Sequence, residues 1–155
     1  MILSLDSNVL VDVMRANRPH VRARLTEAIA RGSSIKVSTV VAQELVFGAH
    51  LSHRIEHQLR LVGDTLAEFG VEAWTWEDAL ATGRLRAEMR RQVGPIGAYD
   101  MLIAGQCLAR GWTLVTADVT DFIRVGGLPI VDWSNPAGAI DVTGAMTRSR
   151  RPSED

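Results

Sequence analysis

Four acidic residues stand where the hydrophobic pattern of the chain calls for apolar side chains: Asp6, Glu44, Asp100 and Asp118. Asp6 closes the run Ile2-Leu3-Ser4-Leu5, and Asp118 follows Thr113-Leu114-Val115-Thr116-Ala117. Glu44 lies within the helical stripe Val41, Leu45, Gly48, while Asp100 begins the stripe Ile103, Ala104, Cys107, Leu108. A carboxylate is seldom buried unless it is paired or binds a metal. No cationic side chain falls in any of the four runs. The pattern therefore calls for an external cation, and a hard divalent metal is the one that oxygen ligands suit.

The segments around these acids alternate between strand-like and helix-like. Ile2–Leu5, Ile35–Ser38, Val71–Trp74, 113–116 and 129–132 read as short strands. Helices are expected from about Asn8 to Met14, Pro19 to Arg31, Val40 to His50 and Glu77 to Gln92. Pro19 suits a first helical turn, and Gly32 falls just past the end of the second helix. Ser52 is placed to cap a further helix with the stripe Ile55, Leu59, Val62, Leu66 and Phe69. After the turn Gly94-Pro95-Ile96-Gly97, the almost wholly apolar helix 98–109 has to be central. A short acidic turn separates the last two strands. This alternation predicts an α/β fold with three layers, a central mostly parallel sheet flanked by helices. It occupies residues 1–133. From Ser134 to Asp155 the chain turns polar and small, and a mobile tail is expected.

Composition narrows the functional classes. The chain has 155 residues, 46% of them apolar, which suits one domain with a full core and excludes a disordered chain. A net charge of −1 gives no global attraction to nucleic acid or membrane, so such binding needs a local patch. Cys107 alone supports no internal disulfide and fits a reducing, cytoplasmic setting. Asp6 interrupts the first apolar run too early for a signal peptide or spanning helix.

In an open α/β sheet, ligands bind at the carboxyl ends of the strands. Asp6 and Asp118 fall at such ends, and Glu44 and Asp100 fall in the first turn or two of helices, so the four are expected to converge on one small cleft. At ~4 Å separation and an effective dielectric of ~20, each like-charge pair opposes folding by roughly 4 kcal/mol. Singly, each acid has an ordinary role open to it: Asp100 at a helix N-terminus, Asp118 as a cap, Asp6 in a turn, Glu44 on the surface. Taken together, they would all have to break an apolar pattern at the same sheet edge.

The motifs holding these acids are similar to those of a known family. Leu5-Asp6-Ser7-Asn8-Val9-Leu10 resembles the opening motif of PIN-domain nucleases. Ser38–Ala49 around Glu44, Ile96–Ala104 around Asp100 and Thr116–Phe122 around Asp118 resemble the following three, in order. Val125–Leu128 and Val131-Asp132-Trp133 resemble the closing segment. The likeness is strongest to VapC-type toxins of toxin–antitoxin pairs. Ser7 stands where threonine is commoner, and Asp118 where many relatives have asparagine.

The resemblance implies a Mg²⁺- or Mn²⁺-dependent endoribonuclease. Its metal centre would fall on Asp6, Glu44, Asp100 and Asp118, with Asp6 and Asp100 as direct ligands and Asn8 and Thr116 in support. Glu44 and Asp118 would act directly or through water. The reaction would leave a 5′-phosphate and a 3′-hydroxyl. It also implies an RNA substrate, a cognate VapB-like antitoxin, a homodimer and no membrane association. A PIN nuclease outside toxin biology and a non-catalytic RNA- or protein-binding PIN module are the alternatives.

Other signals carry less. Sixteen of the seventeen basic residues are arginine, and Arg84, Arg86, Arg90 and Arg91 crowd the helix leading to Asp100. They suit RNA phosphates, and they equally suit an ordinary solvated face. His53-Arg54-Ile55-Glu56-His57 matches a zinc-peptidase spacing, but both histidines point opposite the apolar stripe. Asp6-x-Asn8 faintly resembles a haloacid dehalogenase-type phosphatase and lacks its second aspartate. Cys107 reads as a packed thiol, and the four tryptophans read as packing or interface residues.

Overall fold

The computed structural model describes residues 1–91 and 96–143. The strands are β1 (Ile2–Leu5), β2 (Ser34–Ser38), β3 (Gly70–Glu72), β4 (Thr113–Val115), β5 (Ile130–Asp132) and β6 (Ile140–Asp141). The helices are α1 (Ser7–Arg15), α2 (Pro19–Ala30), α3 (Thr39–His50), α4 (Ile55–Ala67), α5 (Trp76–Met89), α6 (Ala98–Arg110) and α7 (Val119–Phe122). They form a six-stranded sheet in the order β3-β2-β1-β4-β5-β6. All pairings are parallel except that of β5 with β6. The expected mostly parallel α/β sheet flanked by helices is what the chain adopts. Strand order reverses at β1, so β1 and β4 frame the crevice where such sheets bind ligands.

Burial explains the strands' composition. β1 and β4 lie inside the sheet with helices over them, and Leu3, Leu5, Leu114 and Val115 are all buried. α6 is the central helix, burying Met101, Ile103, Ala104, Gly105, Gln106 and Cys107. It packs most closely on α5: a Cβ added at Gly105 would lie 1.9 Å from Thr82 Oγ1 and 2.9 Å from its Cα. Only glycine permits that approach.

An ion pair locks the same two helices at one end. Asp78, fully buried in the first turn of α5, receives Arg110 Nε at 3.0 Å on one oxygen and Arg110 Nη2 at 2.7 Å on the other. The Thr75 amide and Gln106 Nε2 donate to it as well. Burial pushes the Asp78 carboxyl up, but the Arg110 guanidinium and the Thr75 amide outweigh it and hold it below its ordinary value. Arg110 also bonds Glu72 and lies 5.0 Å over the ring of Trp112.

Several expectations need correction. Residues 134–143, assigned to a mobile tail, are tied to the domain. Arg24 donates to the carbonyls of Trp133 and Asn135, His20 pairs with the Ser134 carbonyl, and β6 adds an antiparallel strand to β5. The Thr143 hydroxyl accepts the Ile130 amide, continuing the edge. β6 pairs only Ile140 and Asp141, too short a strand to carry an alternating pattern. Residues 144–155 lie outside the described residues, as do the expected helix end at Gln92 and the turn residues Gly94 and Pro95. Ser52 does not cap α4: its hydroxyl accepts the Arg54 amide in the preceding turn, and Arg54 is the cap residue. The acidic turn after β4 is the one-turn helix α7. Among the described residues, no helix is long and apolar enough to cross a membrane.

Candidate metal centre

Asp6 follows directly on β1, where the strand gives way to α1. It is 3% exposed and caps that helix, with one oxygen accepting the Ser7 amide at 2.8 Å. Its other oxygen accepts the Thr116 hydroxyl at 2.7 Å and the Asn8 side-chain amide at 3.3 Å. Thr116, buried at the end of β4, in turn accepts the Asp118 amide at 3.0 Å. Asn8 Oδ1 accepts the Ala117 amide at 3.3 Å. These bonds lace the carboxyl ends of β1 and β4 together.

The tightest acidic group brings Asp100, Asp118 and Asp121 together, each with a carboxylate oxygen within 4.8 Å of the others. Asp100 comes from the first turn of α6, and Asp118 and Asp121 from the cap and first turn of α7. Asp118 makes no side-chain cap bond, so the capping role open to it in the sequence is not what holds it there. Asp121 was not singled out from the sequence, although it lies in the Thr116–Phe122 motif. No periodic signal marks it, because Asp118 is the cap of α7 and Asp121 lies in its single turn, so their meeting is visible only in the fold.

Asp6 and Glu44 lie outside this triplet, but both act on Asp100 within it. Burial raises the Asp100 carboxyl to about 6, reinforced by Asp6, Glu44, Asp118 and Asp121. Burial also raises Asp6 against the opposing bonds from Thr116 and Ser7, and Asp118 adds to the rise. Glu44, half-buried on α3, is raised by burial and by Asp6, with the Ser7 hydroxyl opposing. Glu44 Oε2 is buried and has no hydrogen-bond partner.

All five acids are thus electrostatically coupled, and none of them forms an ion pair among the described residues. An orphaned carboxylate oxygen and three carboxylates at mutual ligand distance fit a hard divalent cation, whose oxygen ligands stand about 2.0–2.6 Å away. Among the described residues no soft or nitrogen ligand joins the group, which disfavours zinc. His53 and His57 are exposed and enter no group of metal-binding geometry among the described residues.

A groove of about 640 Å³ opens beside the acids, bordered by Asn8, Glu44 and Ala117. Val11, Met14, Leu45, Leu61 and Val62 line it, with Arg15 and Arg18 also on its wall. Arg84, Arg86, Arg90 and Arg91 are exposed and form no ion pair among the described residues. α5 and α6 run antiparallel, since Asp78 meets Arg110 and Thr82 meets Gly105. Continuing that register brings Arg90 and Arg91 to the end of α6 that carries Asp100.

Comparisons with known proteins agree with this geometry. A family model described as the PIN domain matches residues 3–128. The tRNA(fMet)-specific endonuclease VapC of Shigella flexneri is 33% identical over 130 residues, covering 84% of this chain and 96% of its own. Its Salmonella typhimurium counterpart is 32% identical over 129 residues, covering 83% and 96%. Among solved structures, DNA-bound VapBC from Salmonella typhimurium matches with a TM-score of 0.79 at 31% identity, over 86% of this chain and 98% of that one. VapBC2 from Rickettsia felis, bound to a DNA fragment from its promoter, matches with a TM-score of 0.80 at 27% identity, over 86% and 99%.

Proposed function

The chain belongs to the PIN-domain family, in its VapC-type branch, and from that premise we propose that it is a metal-dependent endoribonuclease, the toxin of a type II toxin–antitoxin pair, which inhibits translation by cutting RNA. The observation that carries this reading is the set Asp6, Glu44, Asp100, Asp118 and Asp121 gathered at the reversal of the sheet, with none of the five in an ion pair among the described residues.

Asp100, Asp118 and Asp121 would hold a Mg²⁺ ion, for which Mn²⁺ can substitute, with Asp6 completing the site. The bound ion would supply positive charge against the charge developing on the phosphate and would acidify the attacking water. Thr116 and Asn8 fix the Asp6 carboxylate through the bonds described above. Glu44 Oε2, which has no hydrogen-bond partner, would act through the attacking water and accept its proton. Attack of water on phosphorus would break the bond to the 3′ oxygen, leaving a 5′-phosphate and a 3′-hydroxyl.

Arg84, Arg86, Arg90 and Arg91 would contact RNA phosphates on the approach to Asp100. Initiator tRNA is the first substrate to test, because two of the relatives are tRNA(fMet)-specific endonucleases. The groove beside Glu44 suits a VapB-like antitoxin: its aliphatic lining would take an apolar segment, and a basic side chain at its end would meet the acids. Exposed Phe47, Leu51, Trp76 and Tyr99 supply apolar surface for a homodimer. The setting would be the cytoplasm, where the thiol of Cys107 stays reduced.

The test is cleavage of initiator tRNA and total cellular RNA with Mg²⁺, Mn²⁺ or EDTA, with the new 5′ ends mapped. Metal-dependent cuts carrying 5′-phosphates are expected, and the same chain should arrest growth unless its antitoxin is co-expressed. Folded protein that cuts no RNA in saturating Mn²⁺ would overturn the reading.

A further inference from the structure

Asp100 reaches the acidic triplet only because of the residue that precedes its helix. Gly97 is the N-cap of α6, with φ −54° and ψ 145°. Any L-residue adopts that backbone, so the conformation does not call for glycine. Nor does helix capping, since Ser, Asp or Asn would satisfy the open amides at least as well. What excludes a side chain is the Asp100 carboxylate: a Cβ at Gly97 would lie 2.8 Å from Asp100 Oδ2 and 3.5 Å from its Cγ, with no backbone atom among its three nearest neighbours.

We propose that Gly97 is a positioning residue of the acidic site, whose missing side chain leaves the space that the Asp100 carboxylate occupies when it stands within ligand reach of Asp118 and Asp121. The inference rests on the metal-binding reading given above. A Cβ would meet only the far end of a short side chain, which can rotate away. The fold therefore tolerates the substitution, while the Asp100–Asp118–Asp121 triplet loses one of its members. At Gly105 the comparable contact is with backbone and leaves no such escape.

The experiment compares the wild-type chain with Gly97→Ala and Gly97→Ser by calorimetric Mn²⁺ titration and by melting of the metal-free protein. Both variants should melt near the wild-type temperature, and both should bind Mn²⁺ about tenfold to a hundredfold more weakly, the range for loss of a group that orients a ligand. Gly97→Ser separates the two explanations: a capping role predicts a more stable protein with unchanged metal affinity, and that result would overturn the proposal. Wild-type affinity in folded Gly97→Ala would overturn it too. If Gly97→Ala does not fold, Gly97→Ala/Asp100→Ala decides. Recovery of folding would locate the clash on the carboxylate and support the proposal; continued failure would locate it in the backbone and refute it. Absence of Mn²⁺ binding by the wild type would instead remove the metal reading itself, and this inference with it.

Discussion

Replacing Asp100 by asparagine isolates the electrostatic tension in the site. The substitution keeps the shape and removes a charge that burial and four neighbouring acids oppose. Raising a carboxyl from 3.8 to about 6 corresponds to roughly 3 kcal/mol. Asp100 is partly exposed, and solvent screening brings the figure to about 1–2 kcal/mol. The sign follows from where the proton is held more tightly. The folded state binds it better, so the stability Asp100 lends is full below 3.8 and is lost as pH rises through about 6. Metal-free Asp100→Asn should therefore exceed the wild type by about 1–2 kcal/mol at pH 7.5, or about 2–8 °C in melting temperature. The two should converge below pH 4. Asp78 has the opposite dependence, gaining stability above its ordinary value and losing it in acid, but it is present in both proteins and cancels in the difference. Excess Mg²⁺ should invert the order, because ligand at ~100-fold its Kd stabilises the binding form by roughly 2.7 kcal/mol. Thermal melts in EDTA and in Mg²⁺ between pH 4 and 8 give both halves. A wild type at least as stable as Asp100→Asn in EDTA at pH 7.5 would refute the reasoning.

Asp121→Asn should weaken Mn²⁺ binding by about tenfold or more while the protein stays folded; calorimetry reads the affinity, and an unchanged value would remove Asp121 from the site. Arg110→Ala should destabilise the chain by about 3–5 kcal/mol, because it leaves the Asp78 carboxylate buried without its cation. Urea denaturation measures it, and a loss below about 1 kcal/mol would contradict the assigned role. Arg110→Lys should restore little, since an ammonium cannot bond both Asp78 oxygens in a fork.

What the sequence disclosed depended on whether a residue broke a pattern. Asp6 and Asp100 interrupt apolar runs, and so their convergence on the sheet reversal was readable from the chain alone. Asp121 interrupts nothing: α7 is one turn long, too short for periodicity to show that it shares a face with Asp118. Asp78 follows Thr75-Trp76-Glu77 in a first helical turn, where acids are common, and it bonds the Thr75 amide there. Its pairing with Arg110 joins positions far apart in the chain, and local pattern holds no record of that. The central strands β1 and β4 were legible because burial on both faces makes them nearly continuous apolar runs. β6, an exposed strand of two residues, offers no such run.

The lock between Asp78 and Arg110 makes α6 a lever. Its fulcrum is the buried ion pair at the carboxyl end, and Asp100 is the load at the other end, ten residues away, about 15 Å at the rise of an α-helix. A tilt of about 4° at the fulcrum displaces the carboxylate by about 1 Å, and a misplacement of about 1 Å can slow a reaction about a hundredfold. Damage to packing at Trp112, Glu72 or Thr82 would thus be felt in the chemistry before it was felt in the fold. The residues that keep Asp100 in place include several that lie well away from the acidic site.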